Sequence, residues 1–173
     1  MFLEHPMNEL TAEAVRAALD YDPQTGRFTR RTRTAQCHRI GDAADMRGHG
    51  NLAGYLVVSL GGKKWLAHRL AWLHVHGVWP QHEIDHINGD PSDNRIANLR
   101  DVRTVVNAQN KRQARVDSRS GLLGAALCKQ SGKFRARIQV AKKFVHIGMF
   151  ATAEEAHAAY MDAKRKLHPG FAA

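Results

Sequence analysis

The sequence predicts an α+β protein, in which a β-hairpin closed by a helix is followed by a three-stranded antiparallel sheet packed on one helix. Two patterns support this class. Apolar and polar residues alternate over residues 134–140, as in a strand with one exposed face. Over residues 153–167 the apolar residues recur every three or four positions, as in an amphipathic helix. With 173 residues, 43% of them hydrophobic, the chain can bury one modest core or two small ones.

The N-terminal part, residues 1–53, is predicted as a region with a helix, a short strand and a loop. Helical spacing of apolar residues predicts a helix over Asn8–Asp20. A turn then leads into a strand over Arg27–Arg31. Residues 32–53 show no clear period, so we predict a loop there.

A hairpin and a helix are predicted next. The hairpin turns at Gly61-Gly62 and has strands over Tyr55–Leu60 and Lys63–Ala67. The helix covers His68–His76 and ends at Gly77. We expect both to complete the core of the following segment, because a hairpin and helix of about 30 residues cannot bury a core alone.

The densest group of polar side chains lies between residues 83 and 111. Strands are predicted over His82–Ile87 and Ala97–Arg103, because the residues between them are almost all turn formers. Thr104 is predicted to cap a helix over Val105–Ala114. The result is a β-hairpin closed by a helix.

The side chains of this hairpin and helix suit metal-assisted hydrolysis of a phosphodiester. Asp85 and Asn107 offer hard oxygen ligands, which Mg²⁺ and Mn²⁺ prefer. His86 can take a proton from water, because an imidazole titrates near neutral pH. Asn98 can orient that imidazole through a hydrogen bond. The alternative is a polar turn whose His86 is merely solvated. Asn98 and Asn107, which follow the Asp-His pair on a strand, turn, strand and helix pattern, make this alternative less favoured.

This segment resembles the HNH (ββα-metal) endonuclease family, especially its phage and homing members. The resemblance is carried by Asp85-His86-Ile87-Asn88-Gly89, Asp93-Asn94-Arg95, Asn98-Leu99-Arg100 and Asn107. It implies a ββα-metal nuclease domain over residues 54–116, with His86 as the general base and Asn98 as the middle residue of the motif. It also implies one divalent metal ion, Mg²⁺ or Mn²⁺, on Asp85 and Asn107.

Two features of the motif bear on its metal ions. Asn110 lies one helical turn after Asn107 and remains a rival for the second ligand position. The zinc-binding Cys pairs that some family members carry are missing, so we expect no structural zinc.

The net charge of +10 is concentrated in one part of the chain. Residues 100–150 carry 12 Lys and Arg against 2 Asp and Glu, whereas the segments on either side are balanced. Such a concentration predicts a contact surface for nucleic acid. Glycines and β-patterned stretches interrupt the block, which disfavours a basic helix on a membrane surface. The candidate DNA-binding residues are Arg69, Arg95, Lys111, Arg112, Arg115, Lys129, Lys133, Arg135, Arg137, Gln139, Lys142 and Lys143.

A second domain is predicted over residues 117–173. Its strands are expected over Leu122–Lys129, Phe134–Val140 and Lys143–Phe150. A capping box, Thr152-Ala153-Glu154-Glu155, then opens a helix that runs to about Leu167.

Parts of this second domain resemble the ethylene-response-factor (AP-two class) DNA-binding domain. The resemblance is carried by Gly124, by Gly132-Lys133-Phe134-Arg135-Ala136-Arg137-Ile138, by Ile147-Gly148-Met149-Phe150, and by Thr152-Ala153-Glu154-Glu155-Ala156 with Ala159-Tyr160. It implies that the sheet lies in the major groove and presents Arg135, Arg137 and Gln139 to the DNA. The alternative is an ordinary solvated sheet face.

Composition also bounds the setting and the partners. No apolar run approaches the ~20 residues of a membrane span, and the first residues lack a signal-peptide pattern. Cys37 and Cys128 match no metal-binding spacing. We therefore expect a reduced, cytoplasmic protein of a bacterial or phage-infected cell that is not secreted.

The sequence thus predicts a metal-dependent endonuclease that acts on double-stranded DNA, with a monomer favoured. A DNA-binding regulator that keeps the scaffold without cutting is the alternative. The target sequence and the number of strands cut stay open.

Overall fold

The computed structural model of the protein describes residues 10–33, 35–111, 113–114 and 118–171. The chain divides into two compact units, Met1–Val102 and Arg103–Ala173. Helices and small antiparallel sheets occur together, as expected for the α+β class. The domain limits predicted at residues 54 and 117 stay predictions, and Asp117 lies outside the described residues.

The first unit is built from two helices and three small sheets in its described part. The sheets pair β1 with β2, β3 with β4 and β5, and β6 with β7, all antiparallel. The elements are α1 (Ala12–Ala18), β1 (Leu19–Asp22), β2 (Arg27–Arg30), β3 (Asp45–Arg47), β4 (Leu56–Leu60), β5 (Lys63–Leu66), α2 (Ala67–His76), β6 (Glu83–His86) and β7 (Leu99–Val102).

One apolar core joins the N-terminal elements to the later hairpins. Val15 of α1, Phe28 of β2 and Leu70 of α2 have no exposed surface, and all belong to the cluster that includes Leu99 of β7. Burying large apolar side chains is the main stabilising contribution in such a core. The N-terminal segment is therefore a structural part of the unit that holds the polar hairpin.

Two predictions for the N-terminal segment are wrong in detail. Residues 8–9 of the helix expected over Asn8–Asp20 lie outside the described residues, and from residue 10 onward the helix spans Ala12–Ala18. It is capped by the Thr11 hydroxyl, which accepts from the Ala14 N–H. The chain then becomes a strand because Leu19 and Tyr21 alternate with exposed Asp residues. The segment expected to be loop contains β3, whose three residues are too few to show a period.

The ends of α2 follow from local chemistry. The helix begins at Ala67, one residue before the predicted start, and ends at Gly77 as predicted. Gly77 has φ +77°, the left-handed conformation that a glycine adopts without steric cost. Within the described residues, no helix has the length and apolar surface to cross a membrane.

The second unit contains two helices and one three-stranded sheet in its described part. The strand order is β8, β9, β10, with both pairs antiparallel. The elements are α3 (Thr104–Gln109), β8 (Ala125–Leu127), β9 (Phe134–Val140), β10 (Lys143–Phe150) and α4 (Ala153–Leu167). Ala136 of β9 and Ala156 of α4 are fully buried in one cluster between the sheet and the helix.

The C-terminal pattern is predicted well, and α3 less so. The bounds of β9 and β10 and the capping box of α4 are confirmed. The first strand is shorter than predicted. The helix α3 is also shorter, and Arg103 takes the N-cap position predicted for Thr104, without a side-chain cap bond. Val105 is 71% exposed, so the first residue of the predicted helix contributes no buried apolar surface.

Gly124 gives a stability prediction. It has φ +79°, and a Cβ there would overlap the Tyr160 ring. We expect Gly124→Ala to lower the free energy of unfolding by about 1–3 kcal/mol more than Gly132→Ala does, which denaturant unfolding would measure. Gly132 is a matched control because its φ is +69° and no atom lies within 4 Å of the place that a Cβ would take. Equal losses would show that the ring moves aside.

Candidate active site

The polar hairpin is the pair β6 and β7. His86 lies opposite Leu99, and Asp85 lies opposite Arg100. Consecutive residues of a strand point to opposite faces, so the Asp85 carboxylate and the His86 imidazole leave β6 in different directions. Both side chains are nearly buried, at 6% exposure each.

Asp85 is held by an ion pair across the hairpin. The Arg100 guanidinium donates to Oδ2 through Nε at 2.8 Å and lies 2.6 Å from it through Nη2. Both contacts converge on one oxygen, so charge-assisted bonds hold Oδ2 beside Arg100. Since the strand pairing itself sets Arg100 opposite Asp85, the hairpin register determines this geometry.

The His86 ring is oriented by Asn94, a residue that the sequence motif includes but to which no role was assigned. The distance from His86 Nε2 to Asn94 Oδ1 is 3.0 Å, and Asn94 has no exposed surface. When the ring is neutral and Oδ1 accepts, Nε2 carries the proton and Nδ1 carries the lone pair. Asn94 thereby selects which ring nitrogen can act as a base.

The contact expected of Asn98 is therefore made by Asn94. Asn98 instead closes the turn, because its Oδ1 accepts the Asn88 N–H at 2.9 Å and its Nδ2 donates to Asn88 Oδ1 at 3.0 Å and to the Asp93 carbonyl at 2.8 Å. Both Asn residues lie within reach of the turn, so spacing alone does not separate them. The catalytic assignment of Asn98 stays a prediction.

The N-terminal hairpin holds Asn94 in place. The Tyr21 hydroxyl donates to the Asn94 carbonyl at 2.7 Å. Burial raises the pKa of Tyr21 to about 12, so the donor keeps its proton throughout the physiological range. Gly26 packs so closely on the backbone of Asn94 and Arg95 that a side chain there would overlap it. Sequence reasoning had no signal for this support, because Tyr21 and Asn94 are 73 residues apart.

The rings of Tyr55, His68 and His86 form one cluster. His68 meets His86 edge to face, with ring centroids 5.0 Å apart and an interplanar angle of 86°. The centroid of the Tyr55 ring lies 5.4 Å from that of His68 and 6.2 Å from that of His86. His68 is 5% exposed, and its burial, with the charges of His86 and Arg69, lowers its pKa to about 3. His68 is therefore neutral at neutral pH.

The basic side chains predicted to touch DNA in this unit are also bound within the chain. The Arg69 guanidinium lies 5.7 Å from the centre of the Trp79 ring, a cation–π contact. Arg95 binds Asp93 through Nε at 2.8 Å and Nη2 at 2.6 Å, and these bonds lower the pKa of the Asp93 carboxyl. A DNA phosphate that bound Arg69 or Arg95 would therefore share the guanidinium group with Trp79 or Asp93, respectively.

The other predicted DNA-binding residues lie in the second unit. Arg135, Arg137 and Gln139 are exposed on one face of β9, as the alternation predicted, while Ala136 and Ile138 are buried. The side chains of Lys111, Lys129, Lys133, Lys142 and Lys143 are exposed. Arg112 and Arg115 lie outside the described residues.

The proposed metal ligands differ in setting. Asn107 lies on α3 and is half-buried, whereas Asn110 is the buried C-cap residue of that helix. No group of three or more His, Cys, Asp and Glu within the described part of the chain is arranged to hold a metal ion. A carboxylate such as Asp85 still fits Mg²⁺, which takes one or two protein oxygens and keeps several waters.

Comparison with protein families supports one class for this site. Residues 66–109 match the family model of HNH endonucleases. The match covers α2, β6, β7 and α3, and so includes Asp85, His86 and Asn94. No curated protein and no solved structure matches the chain.

The HNH match supports an activity in general terms only. It supports a nuclease, a hydrolase whose substrate is DNA, and HNH nucleases generally use a divalent metal ion. The match spans 44 of the 173 residues, so the C-terminal resemblance stays a prediction. The ββα-metal arrangement of the HNH domain and its phage or homing type also stay predictions.

Proposed function

We propose that the protein is a metal-dependent DNA endonuclease in which His86 is the general base. The observation that carries this proposal is the pairing of the HNH match with a buried imidazole whose Nε2 lies 3.0 Å from Asn94. A solvated histidine on a polar turn would need no such partner. Here the ring is buried, oriented and placed one residue after a carboxylate.

In the proposed reaction, His86 Nδ1 takes a proton from a water molecule. The water oxygen forms a bond to the scissile phosphorus, and the bond from phosphorus to the 3′ oxygen breaks. Asn94 keeps the ring in the tautomer that can accept the proton, and Arg100 holds Asp85 Oδ2 beside it. Efficient proton transfer requires such fixed geometry.

We assign the divalent ion, Mg²⁺ or Mn²⁺, to Asp85, with Asn107 as the second ligand proposed from the sequence. When bound, the ion would supply positive charge that stabilises the developing charge on the phosphate and the departing oxygen. Asn110 remains the rival for the second position. The protein contributes hard oxygen atoms, which match the ligand preference of both ions.

The second unit is proposed to bind the DNA. Its exposed face carries the cations Arg135 and Arg137 on β9. Their cross-strand partners on β10 are Met149 for Arg135 and His146 for Arg137, and both are exposed. The Arg137 guanidinium lies 4.3 Å from the centre of the exposed Phe144 ring. A guanidinium ordered by a ring loses less freedom when it binds, which suits contact with base edges.

A plasmid-nicking assay tests the proposed function. The purified protein should convert supercoiled DNA to nicked or linear forms in Mg²⁺ or Mn²⁺, and EDTA should stop the reaction. Binding without cutting under any divalent ion would instead favour the alternative, a DNA-binding regulator. The phage or homing type and the cytoplasmic setting are part of the proposal, and a monomer is proposed for the active form.

Arg137 gives a specificity prediction. We expect Arg137→Ala to cost about 1–3 kcal/mol of binding free energy at one base pair, as loss of a base contact does. Selection from a randomised DNA library, followed by titration of the single-base variants, would measure this. Arg165→Ala is the control, because Arg165 is exposed on α4 and pairs with Asp162. If Arg137→Ala instead weakened binding to all sequences equally, Arg137 would be a phosphate contact. The slope of log affinity against log salt concentration would then be shallower by about 0.9.

A further inference from the structure

The Tyr55–His68–His86 cluster has one member that a substrate can reach. Tyr55 is 36% exposed, whereas His68 and His86 are 5% and 6% exposed. His68 supports the base from the buried side. The exposed aromatic surface beside the base therefore belongs mainly to Tyr55, which neither the HNH match nor the sequence motif includes.

The backbone of Tyr55 is fixed on both sides. Its N–H donates to the Leu52 carbonyl at 3.1 Å, and its carbonyl accepts from the Gly48 N–H at 2.9 Å. The preceding residue, Gly54, has φ +92° and lies against Pro91 of the turn that follows β6. The backbone that carries the ring is thus held in a compact loop against the turn of the polar hairpin, so little backbone freedom is lost when the ring binds a ligand.

The position of the ring limits what it can touch. If His86 activates the attacking water, the scissile phosphate lies beside the imidazole. The Tyr55 ring centroid is 6.2 Å from that imidazole. One strand of a duplex advances ~3.4 Å per nucleotide along its axis, so Tyr55 lies within about two nucleotides of the cut.

A partly exposed aromatic ring at this distance suits contact with a nucleobase. Aromatic side chains stack on bases without sequence preference, and each stacked base changes affinity by about tenfold or more. The faces of a paired base are covered by its neighbours in the duplex. A ring can therefore stack on such a base only after the base has parted from a neighbour, either by opening one base step or by leaving the helix altogether.

We propose that Tyr55 stacks on the base next to the scissile phosphate, after that base has left the duplex stack. This inference rests on the proposed endonuclease function. It adds a substrate-contacting residue and a substrate preference, for DNA in which the base at the cut is mispaired or unpaired. Mispairing removes part of the cost of taking the base out of the stack.

Photo-crosslinking tests the contact directly. The cut is first mapped with the wild-type protein, and 5-iododeoxyuridine is then placed within two nucleotides of it, or about ten nucleotides away as a control. In EDTA, which keeps the strand intact, irradiation should attach the near probe to the peptide that contains Tyr55. Crosslinks confined to other peptides, or none near the cut, would refute the proposal without affecting the endonuclease function. Failure of the wild-type protein to cut DNA at all would overturn both.

Variants separate substrate binding from support of the imidazole. Tyr55→Leu should raise KM about tenfold and abolish the preference for a mispaired base at the cut, whereas Tyr55→Phe should keep the preference. Val78→Ala, at an exposed apolar position of the same unit, should change neither. A lower kcat at unchanged KM and unchanged preference would show that Tyr55 only supports His86. Should Tyr55→Leu not fold, the wild-type crosslink alone decides.

Discussion

We expect His86→Ala to remove nearly all cleavage while DNA binding stays nearly unchanged. The reason is that the imidazole is proposed to act on water and, at 6% exposure, offers little surface to DNA. Loss of a general base slows the chemical step by about 10²–10⁴-fold. Single-turnover nicking rates, compared with affinities from a gel-shift titration in EDTA, measure the two effects separately.

A second histidine variant provides the control for this result. His76 is exposed at the end of α2, in the same unit but outside the hairpin. His76→Ala should nick DNA at close to the wild-type rate. If His86→Ala also retained a rate within a few-fold of the wild type, another group would be the base.

Asn94→Ala is expected to have the second largest effect. It removes the oxygen 3.0 Å from His86 Nε2, so the ring loses the contact that selects its tautomer. Removal of an orienting partner typically lowers activity about 10–100-fold. The cavity and the lost hydrogen bond should also lower the free energy of unfolding by about 1–3 kcal/mol.

The tautomer can be observed independently of activity. Nitrogen-15 NMR of labelled His should show one dominant tautomer of His86 in the wild type and a mixture in Asn94→Ala. Asn98→Ala is the matched comparison, because Asn98 binds the turn through Asn88 and Asp93. It should loosen the turn and leave the tautomer unchanged. The opposite pattern would return the orienting role to Asn98.

Local chemistry explains which elements the sequence could predict. The end of α2 at Gly77 and the capping box that begins at Thr152 depend on neighbouring residues only, and both agree with the structure. The alternation over Phe134–Val140 likewise specifies the exposed face of β9 without reference to the rest of the chain.

The partners of His86 could not be predicted in the same way. Asn94 and Asn98 are both carboxamides near one turn, and the folded path of the turn decides which of them reaches the ring. His68 is a helix residue whose ring meets His86 only after α2 and β6 pack in one core. Such contacts join residues distant in sequence, and periodicity carries no information about them.

The bond between Tyr21 and Asn94 has a practical consequence for anyone who isolates the catalytic segment. The family match begins at residue 66, yet the hydroxyl that anchors Asn94 comes from β1. A fragment trimmed to the recognised motif would expose the Asn94 backbone and part of the core that Val15 and Phe28 fill. The stretch that a family model recognises is therefore shorter than the stretch that must fold together.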